Sequence, residues 1–327
     1  MHVAANGLSV AFHAAGSGAP LVMLHGASSS GREDFAAQLP LFVKAFRCYV
    51  PDARGHAGTR WDPAAGLRYG DLVVDLDAFA DACNLGTFHL LGFSMGAATA
   101  LLYAMRRPER LRTLVLVGTS PEPEPRTRVI HHLADVARIQ AQDPAWAGVL
   151  AKRHDPVQGA GAWRRLMPAI VEMVEHQPEV SPADLRRAEV PALVVVGDRD
   201  PFVPVPQAWQ LARQLPDARL AVIPGAGHEA MADQPGVFAE ACASFWRSAE
   251  TAGWCSTISM IAGIRRRQAP APWIGSWRRA SAAAQAGSCA SIRATSARCR
   301  MTRVRGSSSG DVPTRISVRR RSGRRIA

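Results

Sequence analysis

The pentapeptide Gly92-Phe93-Ser94-Met95-Gly96 constrains the fold of this chain more than any other feature, because of what flanks it. Thr87-Phe88-His89-Leu90-Leu91 before it reads as a buried strand, and residues 97–105 after it read as a helix. A strand that passes into a helix at a single residue needs a very sharp turn, and only glycine fits beside the serine there. The Ser94 hydroxyl is then held up in strained backbone, exposed above a strand end and close to a helix N-terminus. The pattern alone is not sufficient. Gly306-Ser307-Ser308-Ser309-Gly310 also reads Gly-x-Ser-x-Gly, but Arg-rich sequence surrounds it, with no strand before and no helix after, so it is a chance match.

Along the chain, short apolar runs alternate with segments of helical spacing, which predicts a mostly parallel sheet with helices on both faces. Residues 1–4 and 8–13, joined around Asn6-Gly7, predict an opening hairpin. Further strands are expected at 20–24, 46–50, 114–117, 192–196 and 218–223. Helices are expected at 70–83, 204–215 and 233–248. This core covers residues 1–120 and 191–250. Between its halves lies an insert, 121–190, that opens with Pro121, Pro123 and Pro125. Helical patterns occur near 127–141 and 161–176, and Ser181-Pro182 starts another helix. Placed where the chain passes over the C-terminal edge of the sheet, the insert reads as a small helical cap above the ligand crevice.

Charge divides the chain. Residues 1–250 hold 23 Lys and Arg against 26 Asp and Glu, while residues 251–327 hold 16 Arg against one acid, Asp311. The net charge of +12 therefore belongs to the tail, and the body gives no reason to expect a nucleic-acid partner. The tail shows no periodicity and too little apolar sequence for a core, so disorder is expected there. Three readings of it stay open: a non-functional extension, an Arg-rich arm for nucleic acid, or an arm for a membrane surface or other acidic partner. Cys48, Cys83 and Cys242 sit in apolar contexts without metal-ligand spacing and read as buried free thiols. No basic n-region with an apolar run follows Met1, and no apolar stretch approaches the roughly 20 residues that span a bilayer, so a cytoplasmic protein is expected.

A serine hydroxyl is a poor nucleophile at neutral pH; it needs a base in reach and a carboxylate to orient that base. Downstream of Ser94, Gly197-Asp198-Arg199-Asp200-Pro201 follows an apolar strand and offers a carboxylate. Gly225-Ala226-Gly227-His228 follows the last strand and offers an imidazole. The spacing leaves both Asp198 and Asp200 open as the acid.

Four motifs in this order resemble the α/β-hydrolase-fold superfamily over residues 1–250: Leu24-His25-Gly26 after a strand, Pro51-Asp52-Ala53-Arg54-Gly55, the Ser94 elbow, and Gly197-x-x-Asp200-x-x-x-Pro204 followed by Gly227-His228. The resemblance implies Ser94 as nucleophile, His228 as base and Asp200, three residues after the Gly, as acid. It implies an oxyanion hole from the backbone N–H groups of Ala27 and Met95, with Gly92 and Gly96 as the elbow glycines. His25 is expected to be a structural hydrogen bonder beside the site. His131 and His132 fall on an expected cap helix, where a solvated or packing role competes with substrate contact. Three positions depart from the pattern: Ala97 and Ala57 stand where Gly is common, and Asp233 near a position often held by Glu.

The chemistry implied is hydrolysis of a carboxylic ester or lactone through an acyl-enzyme, with no cofactor and no metal. The same residues suit a C–C bond hydrolase, a thioesterase or a cofactor-free haloperoxidase, and a non-catalytic small-molecule binder or receptor would keep the pocket without the chemistry. Cap residues Trp146, Trp163, Leu166, Met167 and Met173 suggest a partly apolar pocket, although Trp and Met at helical spacing also serve as core.

Overall fold

A computed structural model of the chain describes residues 1–122 and 130–251. Pro123, Pro125, the tail from 252 with its three cysteines, and the second Gly-x-Ser-x-Gly lie outside the described residues. The strands are β1 (His2–Ala5), β2 (Leu8–Ala15), β3 (Ala19–Leu24), β4 (Phe46–Pro51), β5 (Phe88–Phe93), β6 (Leu111–Val117), β7 (Ala192–Gly197) and β8 (Ala218–Ile223). They form one sheet of order β1-β2-β4-β3-β5-β6-β7-β8. β2 pairs antiparallel with β1 and with β4, and β3 to β8 pair in parallel. The longer helices are α1 (Tyr69–Ala82), α2 (Met95–Arg106), α3 (Val136–Gln142), α4 (Pro144–Gln158), α5 (Trp163–Glu175), α6 (Val205–Gln214) and α7 (Pro235–Thr251).

Every residue of β5 and β7 is buried, as expected for central parallel strands covered on both faces. Successive side chains then feed different layers. Val22, Leu90, Leu114, Leu116, Val194 and Val196 pack into one core with residues of α1, α2 and α6. Their neighbours Leu21, Met23, Leu91, Val115, Leu193 and Val195 pack into a second core around Phe42, Phe46 and Trp246. Because nearly all of α2 is buried, its sequence is apolar on every side.

Strand order explains where a site can form. The chain runs from β3 outward to β4, then returns to place β5 on the other side of β3. Loops that leave β3 and β5 therefore diverge from adjacent strand ends, with Leu24 opposite Gly92. β7 and β8 end at the same level, with Gly197 opposite Ile223.

The insert differs in detail from its sequence pattern. The described part of the expected 127–141 helix is a short turn, His131–Ala134, followed by α3. The 15-residue helix α4 was not anticipated; only Leu150 and His154 of it are buried and Pro156 lies inside it, so apolar periodicity is weak. Trp163, Leu166, Met167 and Met173 form a third buried core with Leu150 and Ile139, seated on Leu67, Tyr69, Leu72, Met95 and Ala98. They hold the insert to the body rather than line a pocket. Among the described cysteines, Cys48 and Cys242 are buried and Cys83 is half-buried, which corrects the expectation for Cys83.

Candidate active site

Ser94 joins β5 to α2 with φ +51° and ψ −113°, a conformation that costs of order 1–3 kcal/mol and persists only when its surroundings hold it. The flanking glycines show how it is held. A Cβ on Gly92 would overlap the carbonyl of Gly96, and one on Gly96 would meet the carbonyls of Leu24 and His25, the latter at 2.6 Å. Gly96→Ala is therefore expected to lower stability by about 2–3 kcal/mol, read as a urea midpoint. Gly70→Ala, where a Cβ meets nothing within 4 Å, is the control. An unchanged Gly96→Ala midpoint would show that the elbow yields.

The hydroxyl, imidazole and carboxylate meet. Ser94 Oγ–H donates to His228 Nε2 at 2.9 Å, and His228 Nδ1–H donates to Asp200 Oδ2 at 2.9 Å. The side chain of Asp200 is 0% exposed, and its second oxygen accepts the N–H groups of Phe202 and Val203 at 2.8 and 3.0 Å. Asp198 is exposed, so geometry selects Asp200 from the two acids that spacing left open. The imidazole lies between the rings of Phe93 and Phe202, at 5.1 and 4.6 Å. Asp233 accepts Gly227 N–H at 2.7 Å, which anchors the turn before His228 and gives the departure at 233 a role.

The loop after β3 is fixed peptide by peptide. Gly26 N–H is held by Asp34 Oδ2 at 2.7 Å. His25 Nδ1–H donates to Gly26 O at 2.6 Å, and its Nε2 accepts Ala53 N–H at 2.9 Å. Gly26 O and Ala27 N–H belong to one planar peptide and point in opposite directions. Holding the oxygen therefore aims the Ala27 N–H, so the buried ring of His25 orients a peptide and is no base. Ser28, next in the loop, has φ +58°.

A cavity of about 140 Å³ collects these groups: Ala27, Ser94, Met95 and His228 line it from the body. From the insert come Ile130, Leu133, Ile170 and Val174, not the Trp and Met residues singled out by sequence. Glu229 also lines it; partial burial and then the charge of Asp34 hold its carboxyl above the ordinary range. His131 is exposed and paired with Glu175 at 2.6 Å, away from this lining. Among the described residues, no group of His, Cys, Asp and Glu is arranged to hold a metal ion. Nor is any helix among them long and apolar enough to cross a membrane. Sequence reasoning missed Phe202, Asp34, His56, Arg153 and His154. Phe202 sits two residues from Asp200 and Asp34 eight from Gly26, both within reach; His56, Arg153 and His154 act through partners farther along the chain.

Comparison with known proteins agrees with this fold. The putative carbamate hydrolase RutD of Stutzerimonas stutzeri is 25% identical over 228 residues, covering 64% of this chain and 85% of its own length. The 2-hydroxy-6-oxo-6-(2'-aminophenyl)hexa-2,4-dienoic acid hydrolase of Metapseudomonas resinovorans is 26% identical over 265 residues, covering 74% and 89%. A thermophilic esterase from Thermogutta terrifontis superposes with a TM-score of 0.62 at 23% identity, over 76% of this chain and 98% of its own. Residues 21–241 match the alpha/beta hydrolase family, from within β3 into α7, and the chain belongs to that family.

Proposed function

We propose that the protein is a serine hydrolase that cleaves a carboxylic ester or lactone through an acyl-enzyme. The observation that carries this reading is the relay of two 2.9 Å hydrogen bonds from Ser94 Oγ through His228 to the buried carboxylate of Asp200. Ser94 Oγ attacks the substrate carbonyl while His228 Nε2 takes its proton. The carbonyl oxygen becomes an oxyanion facing the N–H groups of Ala27 and Met95. Collapse breaks the bond to the alkoxy group, which leaves as the alcohol with the proton from His228. A water molecule, deprotonated by the same nitrogen, then attacks the acyl-enzyme, and the acid departs as Ser94 recovers its proton. Residues 121–190 serve as the cap that covers this step.

Relatives named as hydrolases support the general class. A carbamate, like an ester, presents a carbonyl bonded to a heteroatom leaving group. The C–C reading would require a free acid as substrate, as the dienoic acid hydrolase is named for. Here the described lining residues include no Lys or Arg to pair with an acid, and the one carboxyl among them is Glu229. That lining favours uncharged esters or lactones.

The test uses p-nitrophenyl acetate and butyrate, an aliphatic lactone, a ring-cleavage dienoic acid and a fluorophosphonate probe. Turnover of an ester or lactone and labelling mapped to Ser94 are expected. No turnover and no labelling would reject an enzyme in favour of a binder. Faster turnover of the dienoic acid than of any ester would move the assignment to C–C hydrolysis.

A further inference from the structure

We propose that His154, on α4 of the insert, is a positioning residue for the oxyanion loop, so that docking of the cap helix and alignment of the Ala27 amide are coupled. The inference rests on the reading of Ala27 as an oxyanion donor.

The hydrogen bonds close a continuous account. Ser28 N–H donates to His56 Nε2 at 3.3 Å, and Ser28 O accepts His154 Nε2–H at 3.1 Å. Arg153 donates to the same oxygen and to Glu33. Together with the His25 bond to Gly26 O, three successive peptides of the loop are each held by an imidazole. The acceptor roles fix the tautomers. His154 Nδ1 accepts Ala57 N–H at 3.0 Å, so its proton is on Nε2. His56 Nε2 accepts, so its proton is on Nδ1, donated to Arg54 O at 3.0 Å. Each ring is therefore used at both nitrogens, and each is neutral.

Strain sits where the latch acts. Ser28 and Ala57 have φ of +58° and +39°, in the left-handed region that non-glycine residues avoid. Ala57 is also one of the positions that depart from the family pattern, where glycine would adopt this backbone freely. In this chain its N–H is held by His154 and Gln158 Nε2–H donates to its carbonyl at 3.5 Å, both from α4. Without the helix, both strained residues lose partners and the Ser28 peptide is free to rotate. The Ala27 amide is two peptides away, with the His56-held peptide between them. Burial lowers the pKa of His154 to about 4, with Arg153 and His25 adding to the effect and the Ser28 and Glu33 contacts opposing it. The latch is thus fully formed at neutral pH.

The experiment compares the wild-type chain with His154→Phe, which keeps an aromatic ring but neither nitrogen, and His154→Gln, which keeps one donor. Two readouts are used: hydrogen exchange of amides 26–30, which needs no turnover, and ester kinetics. In His154→Phe, exchange is expected to rise about tenfold or more and kcat to fall about 10- to 100-fold, with KM within about threefold. That loss is smaller than the 100- to 1000-fold typical of deleting an oxyanion donor outright. His154→Gln is expected to recover part of both. Unchanged exchange in a folded His154→Phe overturns the latch. Raised exchange with unchanged kcat, or a loss confined to KM, overturns the positioning role and leaves His154 a packing residue of the cap. If the wild-type chain neither hydrolyses esters nor labels at Ser94, the proposed function fails, and exchange alone then decides the latch.

Discussion

Ser94→Ala and His228→Ala are each expected to lower kcat on an ester by about a million-fold, with circular dichroism unchanged. Neither change opens a large void, because the hydroxyl and the ring edge face a cavity. The two losses should not multiply in the double variant, since a base without its nucleophile, or the reverse, contributes nothing. Asp200→Asn is expected to lose about ten-thousand-fold. The amide nitrogen cannot accept the His228 Nδ1 proton, so the ring is driven toward the tautomer that cannot deprotonate Ser94. Asp198→Asn, on an exposed carboxylate, should stay within about twofold of wild type. A reversal of the two aspartates would put the acid one turn of chain away from where the 2.9 Å contact places it. Ser94→Ala that keeps more than about one per cent of kcat would remove the acyl-enzyme from the mechanism.

A second large effect is expected in stability. His89 and His154 are 1% and 0% exposed. Burial lowers their pKa values to about 3 and about 4, with Arg112 adding to it at His89 and Arg153 and His25 at His154. His56, fully buried, is driven well below the ordinary value by the same cause and by His25 and His154. In the unfolded chain these rings titrate near 6.5. Below that pH the unfolded state binds protons that the folded state refuses. Stability is thus complete above about pH 7 and falls as pH drops through 6.5 toward the folded values. Between pH 7 and 5 the loss is about 2 kcal/mol for each of His89 and His154, about 4 kcal/mol together, with His56 acting in the same direction. Against a typical total of 5–15 kcal/mol that is a large share. Urea midpoints at pH 7, 6 and 5 measure it, and His89→Leu should flatten the slope by about one proton. A midpoint independent of pH over this range would mean that these rings are charged or solvated in the native protein.

The parts of this molecule that could be read in advance are those whose cause is local. β5 and β7 announce themselves as unbroken apolar runs because both faces are covered, and Gly92 is required by the carbonyl of Gly96, four residues on. The acid was narrowed to two candidates by spacing and to one by resemblance and burial. What escaped depends on distant partners. His154 carries no pattern of its own, because the groups it serves are at 28 and 57, 126 and 97 positions away. Helix α4 buries too few residues to show a stripe, and the insert's wall of the cavity is aliphatic while its buried aromatic, Trp163, packs inside the insert.

The distance between Ser94 and His228, 134 positions, also has a meaning in time. During synthesis at roughly 5–20 residues per second, the serine leaves the ribosome roughly 7–27 seconds before its base exists. Through that interval the side chain is an ordinary alcohol, even though the β6 carbonyl that ties its amide, at Val117, follows within the first part of it. On the proposed mechanism the growing chain is harmless to esters until its last strand is in place, so labelling of Ser94 would report completion of the whole sheet.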